Sequence, residues 1–304
     1  MKLFGGIEAG GTKFVCMIGD SPDHLVEERF PTTTPEETIQ RAVEFFLPYM
    51  ENQELMALGI ASFGPLDLQP GSPTYGWITT TPKAGWSNVD LCGEMERKLQ
   101  VPIAFDTDVN AAAFGEQYWS LENRSMDPFV YMTVGTGIGV GVILNGAPLH
   151  GLMHPEAGHL ALPHDWGRDP FPGVCPYHGD CLEGLASGSS MSQRWGQSPE
   201  YLPDSHPGWE LETDYVALAL VNLIYAYSPK RIILGGGVSG HPGLLQDTRC
   251  KVRQFLNGYI GSSLLTDTLE GYILPPALGK RSGGLGAIAM AMELGVRADI
   301  MPVG

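Results

Sequence analysis

The chain has 304 residues, 43% of them hydrophobic and 17% charged, with a formal net charge of -16. That length fills one large or two ordinary domains with ample core. The acidic balance and the lack of a basic run exclude a nucleic-acid binder, and no apolar run approaches the roughly 20 residues a membrane helix needs. No signal-peptide-like apolar stretch follows Met1, so a cytoplasmic protein is the default expectation.

Residues 3–8 and 13–19 read as two strands joined by the tight turn Ala9-Gly10-Gly11-Thr12, with residues 25–30 as a third strand. Thr34 is placed to cap a helix whose first turn holds Pro35, Glu36 and Glu37, residues that suit its positive end. The apolar stripe of that helix uses Ile39, Val43, Phe46 and Leu47. Residues 55–61 form a buried strand running into Ser62-Phe63-Gly64-Pro65. Asp106-Thr107-Asp108-Val109-Asn110 then precedes an alanine-rich helix, 111–117, with Asp108 in the cap position and Glu116 facing solvent or another helix.

The same grammar returns in mid-chain: strand 129–133, turn Gly135-Thr136-Gly137, strand 138–144. A strand, glycine turn and strand at each start imply two related halves. A long helix around 212–227, a strand 231–234 with the turn Gly235-Gly236-Gly237, and a final helix 284–294 complete the pattern. Strands and helices mixed in this order indicate an α/β protein. Residues 163–174 and 196–209, rich in Pro, Gly, Trp and Asp, read as loops.

Chemistry concentrates in a few places. His159, Cys175, His178 and Cys181 have the donor types and the C-x2-H-x2-C spacing of a tetrahedral zinc knuckle, against a chance cluster in a metal-free loop. Glu156 and Glu183 flank it, suited to sugar hydroxyls or to surface salt bridges. The other thiols (Cys16, Cys92 and Cys250) read as ordinary, and the cysteine usage supports a reducing compartment. Three glycine turns (Gly10 to Lys13, Gly135 to Gly139, Gly235 to Ser239) could bring backbone N–H groups close to phosphate, or be plain hairpin and helix turns. None fits a Walker loop or a dinucleotide fingerprint. Asp108 is either a helix cap or the base that takes a proton from a substrate hydroxyl during phosphoryl transfer.

Together these motifs resemble the ROK family of sugar kinases within the actin-like ATPase (ribonuclease H-like) superfamily. The matching stretches are Ile7-Glu8-Ala9-Gly10-Gly11-Thr12-Lys13, Asp108-Val109-Asn110-Ala111-Ala112-Ala113, and Gly135-Thr136-Gly137-Ile138-Gly139. Further on come His154-Pro155-Glu156-Ala157-Gly158-His159, the run from Cys175 through Glu183 to Gly184, and Gly235-Gly236-Gly237-Val238. The likeness is strongest to the bacterial zinc-containing fructokinase branch.

The resemblance implies two lobes with a central cleft: 1–108, completed by a C-terminal helix 286–304, and 109–285 with the zinc loop. It implies Asp108 as catalytic base, and Glu156, His159, Glu183 and Thr107 at the sugar. ATP would meet Gly10, Gly11, Thr12, Lys13, Thr133, Gly135, Thr136, Gly137, Gly235, Gly236, Gly237, Val238 and Ser239. Mg²⁺ would bridge the nucleotide phosphates, and His159, Cys175, His178 and Cys181 would hold a structural Zn²⁺. The expected partners are ATP and a small hexose, with no nucleic acid or membrane, in a homodimer.

Two departures stand out. Many members have Asp where Glu8 stands, and glucokinase-like members have Asn where Thr107 stands, which weakens glucose as substrate and is compatible with fructose. The expected reaction is ATP-dependent phosphorylation of the fructose 6-hydroxyl, with a mannose or glucose hexokinase as the alternative. A sugar-responsive repressor would need an N-terminal helix-turn-helix, and a zinc hydrolase using Glu156 would need an open metal position.

Overall fold

β1 (Leu3–Ala9) and β2 (Lys13–Ser21) form the hairpin expected from the first glycine turn, in register from Phe4↔Gly19 to Ala9↔Phe14. β3 (His24–Pro31) adds a third antiparallel strand to β2. The computed structural model describes residues 2–52 and 54–300. β4 (Leu55–Ser62) pairs parallel with β1, and β5 (Ile103–Thr107) parallel with β4, giving the order β3-β2-β1-β4-β5.

α1 (Pro35–Glu51) begins as its sequence directs, with Thr34 Oγ1 accepting the Glu37 N–H at 3.3 Å. Its buried face is Ile39, Ala42, Val43 and Phe46, whereas Leu47 is 40% exposed. That set follows i, i+3, i+4, i+7, so Leu47 falls at the edge of the stripe. α2 (Leu91–Leu99) is capped by Asp90, whose Oδ1 accepts the Gly93 N–H at 2.9 Å. α1 and α2 cover a core in which Phe14, Phe46, Leu58, Ile60, Trp86 and Leu91 are fully buried.

α3 (Asp108–Trp119) packs on α9 (Ser282–Ile300), and the two backbones nearly touch. A Cβ on Gly286 would stand 1.8 Å from the Ala111 carbonyl oxygen, so no side chain fits there. Glu116 is fully buried and accepts the Ser282 hydroxyl at 2.8 Å, so it faces a helix rather than solvent. Both helices begin before and end after their expected bounds; residues 301–304 of the expected 286–304 lie outside the described residues.

The chain divides into two compact units. The first holds residues up to 125, then 147–155 with the two-residue strand β8 (Ala147–Pro148), and those from 280 onward; the second holds 126–146 and 156–279. The sequence placed the boundary after 108. The close α3–α9 packing explains why α3 belongs with the first unit.

In the second unit β6 (Phe129–Val134) and β7 (Ile138–Leu144) form the other glycine hairpin. β9 (Arg231–Gly235) pairs parallel with β6, and β10 (Ile273–Leu274) parallel with β9. The pairing β7-β6-β9-β10 repeats β2-β1-β4-β5 of the first unit, one antiparallel and two parallel steps, which makes the two halves related in structure as their sequence grammar implies.

The helices here are α4 (Leu182–Ala186), α5 (Gly188–Trp195), α6 (Gly208–Tyr227), α7 (Leu244–Leu256) and α8 (Ser263–Thr266). α6 starts four residues before the expected 212, because Trp209 and Leu211 are buried and extend its apolar face into the stretch read as loop. Among the described residues no helix is long and apolar enough to cross a membrane.

Candidate functional site

In the first unit the Gly10–Lys13 turn is held by bonds that occupy its carbonyls. The Gly10 N–H donates to Lys13 O at 3.0 Å, and the Thr32 N–H to Thr12 O at 2.9 Å. The Thr32 hydroxyl donates to Gly10 O at 2.6 Å. With the carbonyls tied back, the turn leaves Thr12 and Lys13 exposed. Lys83 brings an unforeseen cation to this turn, its ammonium donating to Thr32 O at 3.3 Å. Glu8, at the end of β1, has its carboxyl pKa pushed up by burial, with Lys13 pulling the other way.

Asp108 is the first residue of α3, not its cap. Thr107 caps the helix in extended geometry (φ -66°, ψ 154°), its hydroxyl accepting the Asn110 N–H at 3.1 Å. The cap therefore lies one residue earlier than the sequence reading placed it. Asp108 Oδ1 accepts the neighbouring Val109 N–H at 2.9 Å. Thr107 is 4% exposed, so the oxygen expected to meet a sugar is engaged with the helix end.

The second unit gathers its glycine turns at one end of its sheet. The Gly135 N–H donates to Gly137 O at 2.9 Å, and the Gly188 N–H, at the start of α5, to Gly135 O at 2.7 Å. Ser189 Oγ donates to Thr136 O at 2.8 Å. Thr133 lies half-buried near the end of β6. After β9 the chain passes Gly236 and Gly237; a Cβ on Gly135 would stand 3.9 Å from the Gly237 nitrogen, so these two turns adjoin. Val238 is buried and its N–H is taken by Val134 O at 3.0 Å, while Ser239 Oγ donates to Gly235 O at 2.7 Å.

Glu183 links the second hairpin to the knuckle. Its Oε2 accepts the Ile138 N–H at 2.9 Å. A Cβ on Gly137 would stand 2.7 Å from that oxygen, so glycine is required if the bond is to form. Gly137→Ala should push Glu183 aside, costing about 1–3 kcal/mol of stability by overpacking. Thermal denaturation checks this, as a lower Tm than wild type.

Glu156 sits just ahead of a short 3₁₀ turn, Ala157–His159, with the His159 N–H donating to Glu156 O at 2.9 Å. Burial, and then the Glu183 carboxylate, push the Glu156 pKa up to about 6.

His159, Cys175, His178 and Cys181 place their donor atoms within 4.8 Å of one another. Cys181 Sγ lies 3.4 Å and Cys175 Sγ 3.7 Å from His159 Nδ1, with Cys175 Sγ 3.5 Å from His178 Nδ1. Zinc bonds of about 2.3 Å to sulfur and about 2.05 Å to nitrogen at tetrahedral angles separate such atoms by about 3.6 Å. The donor set therefore fits zinc in both chemistry and spacing. Burial raises the Cys181 thiol to about 11, a penalty on the thiolate that a bound cation offsets.

The knuckle closes on itself, the Gly179 N–H donating to Cys175 O at 2.9 Å. Buried His164 braces it from behind, with Nδ1 3.0 Å from Asp180 Oδ2. Sequence reasoning left His164 inside a loop; its distance from the C-x2-H-x2-C run gives no signal of this contact.

Comparison with known proteins agrees with this arrangement. Residues 4–293 match the ROK family. The chain is 40% identical over 301 residues to a fructokinase of Streptococcus mutans, covering 97% of this chain and 99% of that one. It is 42% identical over 298 residues to a fructokinase of Zymomonas mobilis, covering 96% and 97%. The crystal structure of a ROK hexokinase from Thermus thermophilus superposes with a TM-score of 0.76 at 25% identity, covering 97% of this chain and 99% of that one. The two mixed sheets with their helices are thus the α/β actin-like ATPase fold. With the match spanning nearly the whole chain, the protein belongs to the ROK family.

Proposed function

We propose that this chain is an ATP-dependent fructokinase, transferring the γ-phosphoryl group of MgATP to the 6-hydroxyl of D-fructose to give fructose 6-phosphate and ADP. The observation that carries the reading is the 40–42% identity, over nearly the full length, to two fructokinases. Asp108 accepts the hydroxyl proton as the new bond forms. The glycine turns at Gly10 to Lys13 and Gly135 to Gly137, with Thr133 and Gly235 to Ser239, receive the nucleotide. Backbone donors there stabilise charge on the transferring group without reorganising. Glu156, Glu183 and His159 contact the sugar hydroxyls, and Thr107 shapes that site through the helix end it caps.

His159, Cys175, His178 and Cys181 would hold zinc. Four protein donors leave no position for water, so the ion's chemistry is structural. Its consequence is a fixed placement of Glu156 and Glu183. The protein works in the cytoplasm as a homodimer in this reading.

A panel of fructose, mannose and glucose with MgATP, read by coupled ADP release, tests the function. A higher kcat/KM for mannose or glucose than for fructose would replace fructokinase by a broader hexokinase. The sugar site should also carry a pH signature. Only the ionised Glu156 accepts a hydroxyl hydrogen bond on both oxygens, and its pKa near 6 means that form is lost earlier on acidification than for an ordinary carboxylate. The KM for fructose should therefore rise as pH falls through about 6, and Glu156→Gln should flatten that rise.

A further inference from the structure

We propose that His150 is a positioning residue for phosphoryl transfer: through the Asp106 carboxylate it fixes the first turn of α3, which carries Asp108. The proposal rests on the reading of Asp108 as the base.

Asp106 is the penultimate residue of β5 and is 3% exposed. A carboxylate so buried needs donors on both oxygens, and here it has them. Its Oδ1 accepts the Thr107 N–H at 2.7 Å and the Asn110 side-chain amide at 2.8 Å. His150 Nε2 stands 2.9 Å from Oδ2. Facing a carboxylate, that nitrogen carries the proton and donates.

Two of the three donors belong to the turn that opens α3. Thr107 is the cap, Asn110 donates its backbone N–H to the Thr107 hydroxyl, and Asp108 lies between them. Asp106 therefore braces the amide of Thr107, the residue before Asp108, and the side chain two residues after it. His150 is the donor that comes from elsewhere in the chain, 44 residues away.

The segment that delivers His150 is itself tied down within the same unit. Gln69 Nε2 donates to Gly151 O and Leu152 O, each at 2.7 Å. The Leu66 N–H donates to His154 Nε2 at 3.2 Å. The imidazole is thus held by fixed backbone on its C-terminal side and can act as a strut rather than a passing contact.

The charge of this strut matters as well as its hydrogen bond. Asp106 holds the His150 pKa above its usual value, against the opposing pull of partial burial. His154, whose pKa burial lowers, and Tyr75, whose pKa burial raises, also sense the Asp106 charge. Protonated His150 offsets the Asp106 charge two residues from Asp108, so that carboxylate does not stand uncompensated beside the first turn of α3. The bond survives loss of that charge, because a neutral imidazole with its proton on Nε2 still donates. Bond and charge are therefore separable by substitution.

His150→Ala removes both, and His150→Gln keeps an amide donor without the charge. In the full-length enzyme, H150A should lower kcat roughly tenfold, with the KM for MgATP within about twofold of wild type, as expected when a reacting group is misplaced. H150Q should restore most of kcat at high pH, and its acid limb in the pH profile of kcat should move upward. In a D108A background H150A should cost nothing further.

A kcat for H150A within about twofold of wild type would overturn the proposal, as would an equal loss in both backgrounds, on the tenfold scale expected for misplacement. Should H150A not fold, the H150Q pH profile decides: an upward-shifted acid limb supports the strut, and a superimposable profile overturns it. Near-normal turnover by D108A alone would instead defeat the assignment of the base, whatever His150 does.

Discussion

Asp108→Ala is expected to lower kcat by roughly 10²–10⁴-fold, the usual contribution of a positioned general base, while fructose binding stays measurable. The structure makes this substitution cleaner than its sequence position suggested. Had Asp108 been the helix cap, its removal would have cost about 0.5–2 kcal/mol of stability and blurred any catalytic loss. Thr107 holds the cap instead, through its hydroxyl and the Asn110 N–H. Asp108 contributes a charge near the helix N-terminus, worth about 0.3–1 kcal/mol.

D108A should therefore melt within a few degrees of wild type, and Thr107→Ala should lose more stability than D108A does. The decisive comparison is turnover by coupled ADP release beside fructose binding by calorimetry, on the same preparation. Turnover near the wild-type rate would remove Asp108 from the mechanism. Loss of both turnover and fructose binding, with an unchanged melting temperature, would make it a substrate contact instead.

Much of this fold was legible because local and long-range signals agree in it. The two glycine hairpins announce themselves by apolar runs on either side of Gly10-Gly11 and Gly135-Thr136-Gly137, and in each the two strands pair antiparallel across the turn. α1 was readable from its cap and first turn. Other elements left signals that were equally physical but passed unread. Asp90 followed by Leu91, Cys92, Met95 and Leu99 is a capped, one-faced helix, and Leu244, Thr248, Val252 and Leu256 repeat every four residues.

What could not be read is contact between distant segments. Glu183 bonding the Ile138 N–H, Lys83 reaching Thr32, and His150 reaching Asp106 each join residues 44 to 51 apart in sequence. No periodicity or spacing rule encodes such pairs. Glu116 shows the same limit in milder form: its helix was expected, but its burial depends on the unrelated Ser282.

If His159, Cys175, His178 and Cys181 hold zinc as proposed, its removal is expected to have the other large effect, and the form of that effect discriminates between roles for the metal. In small zinc peptides the ion supplies about 10–16 kcal/mol and the apo form is unfolded. Here the knuckle lies outside both sheets, whose strands have buried cores of their own, so a chelator should spare the far-UV signal of the two sheets. It should release the Cys175–Cys181 loop, and with it the anchor of Glu183, the second residue of α4, two residues after Cys181.

The expected outcome is a lower melting temperature and a steep rise in the KM for fructose, with a smaller change in the KM for MgATP. Cys181→Ser should reproduce it in the untreated protein. Affinity for the ion should also fall as pH falls, because both thiols and both imidazoles must lose protons to bind. If zinc instead activated water, its removal would abolish a reaction that proceeds without ATP, leaving fructose affinity largely intact. Measuring zinc content, fructose KM and ATP-independent hydrolysis across one chelator titration separates the two. A fructose KM unchanged at zero zinc would show that the carboxylates hold their places without it.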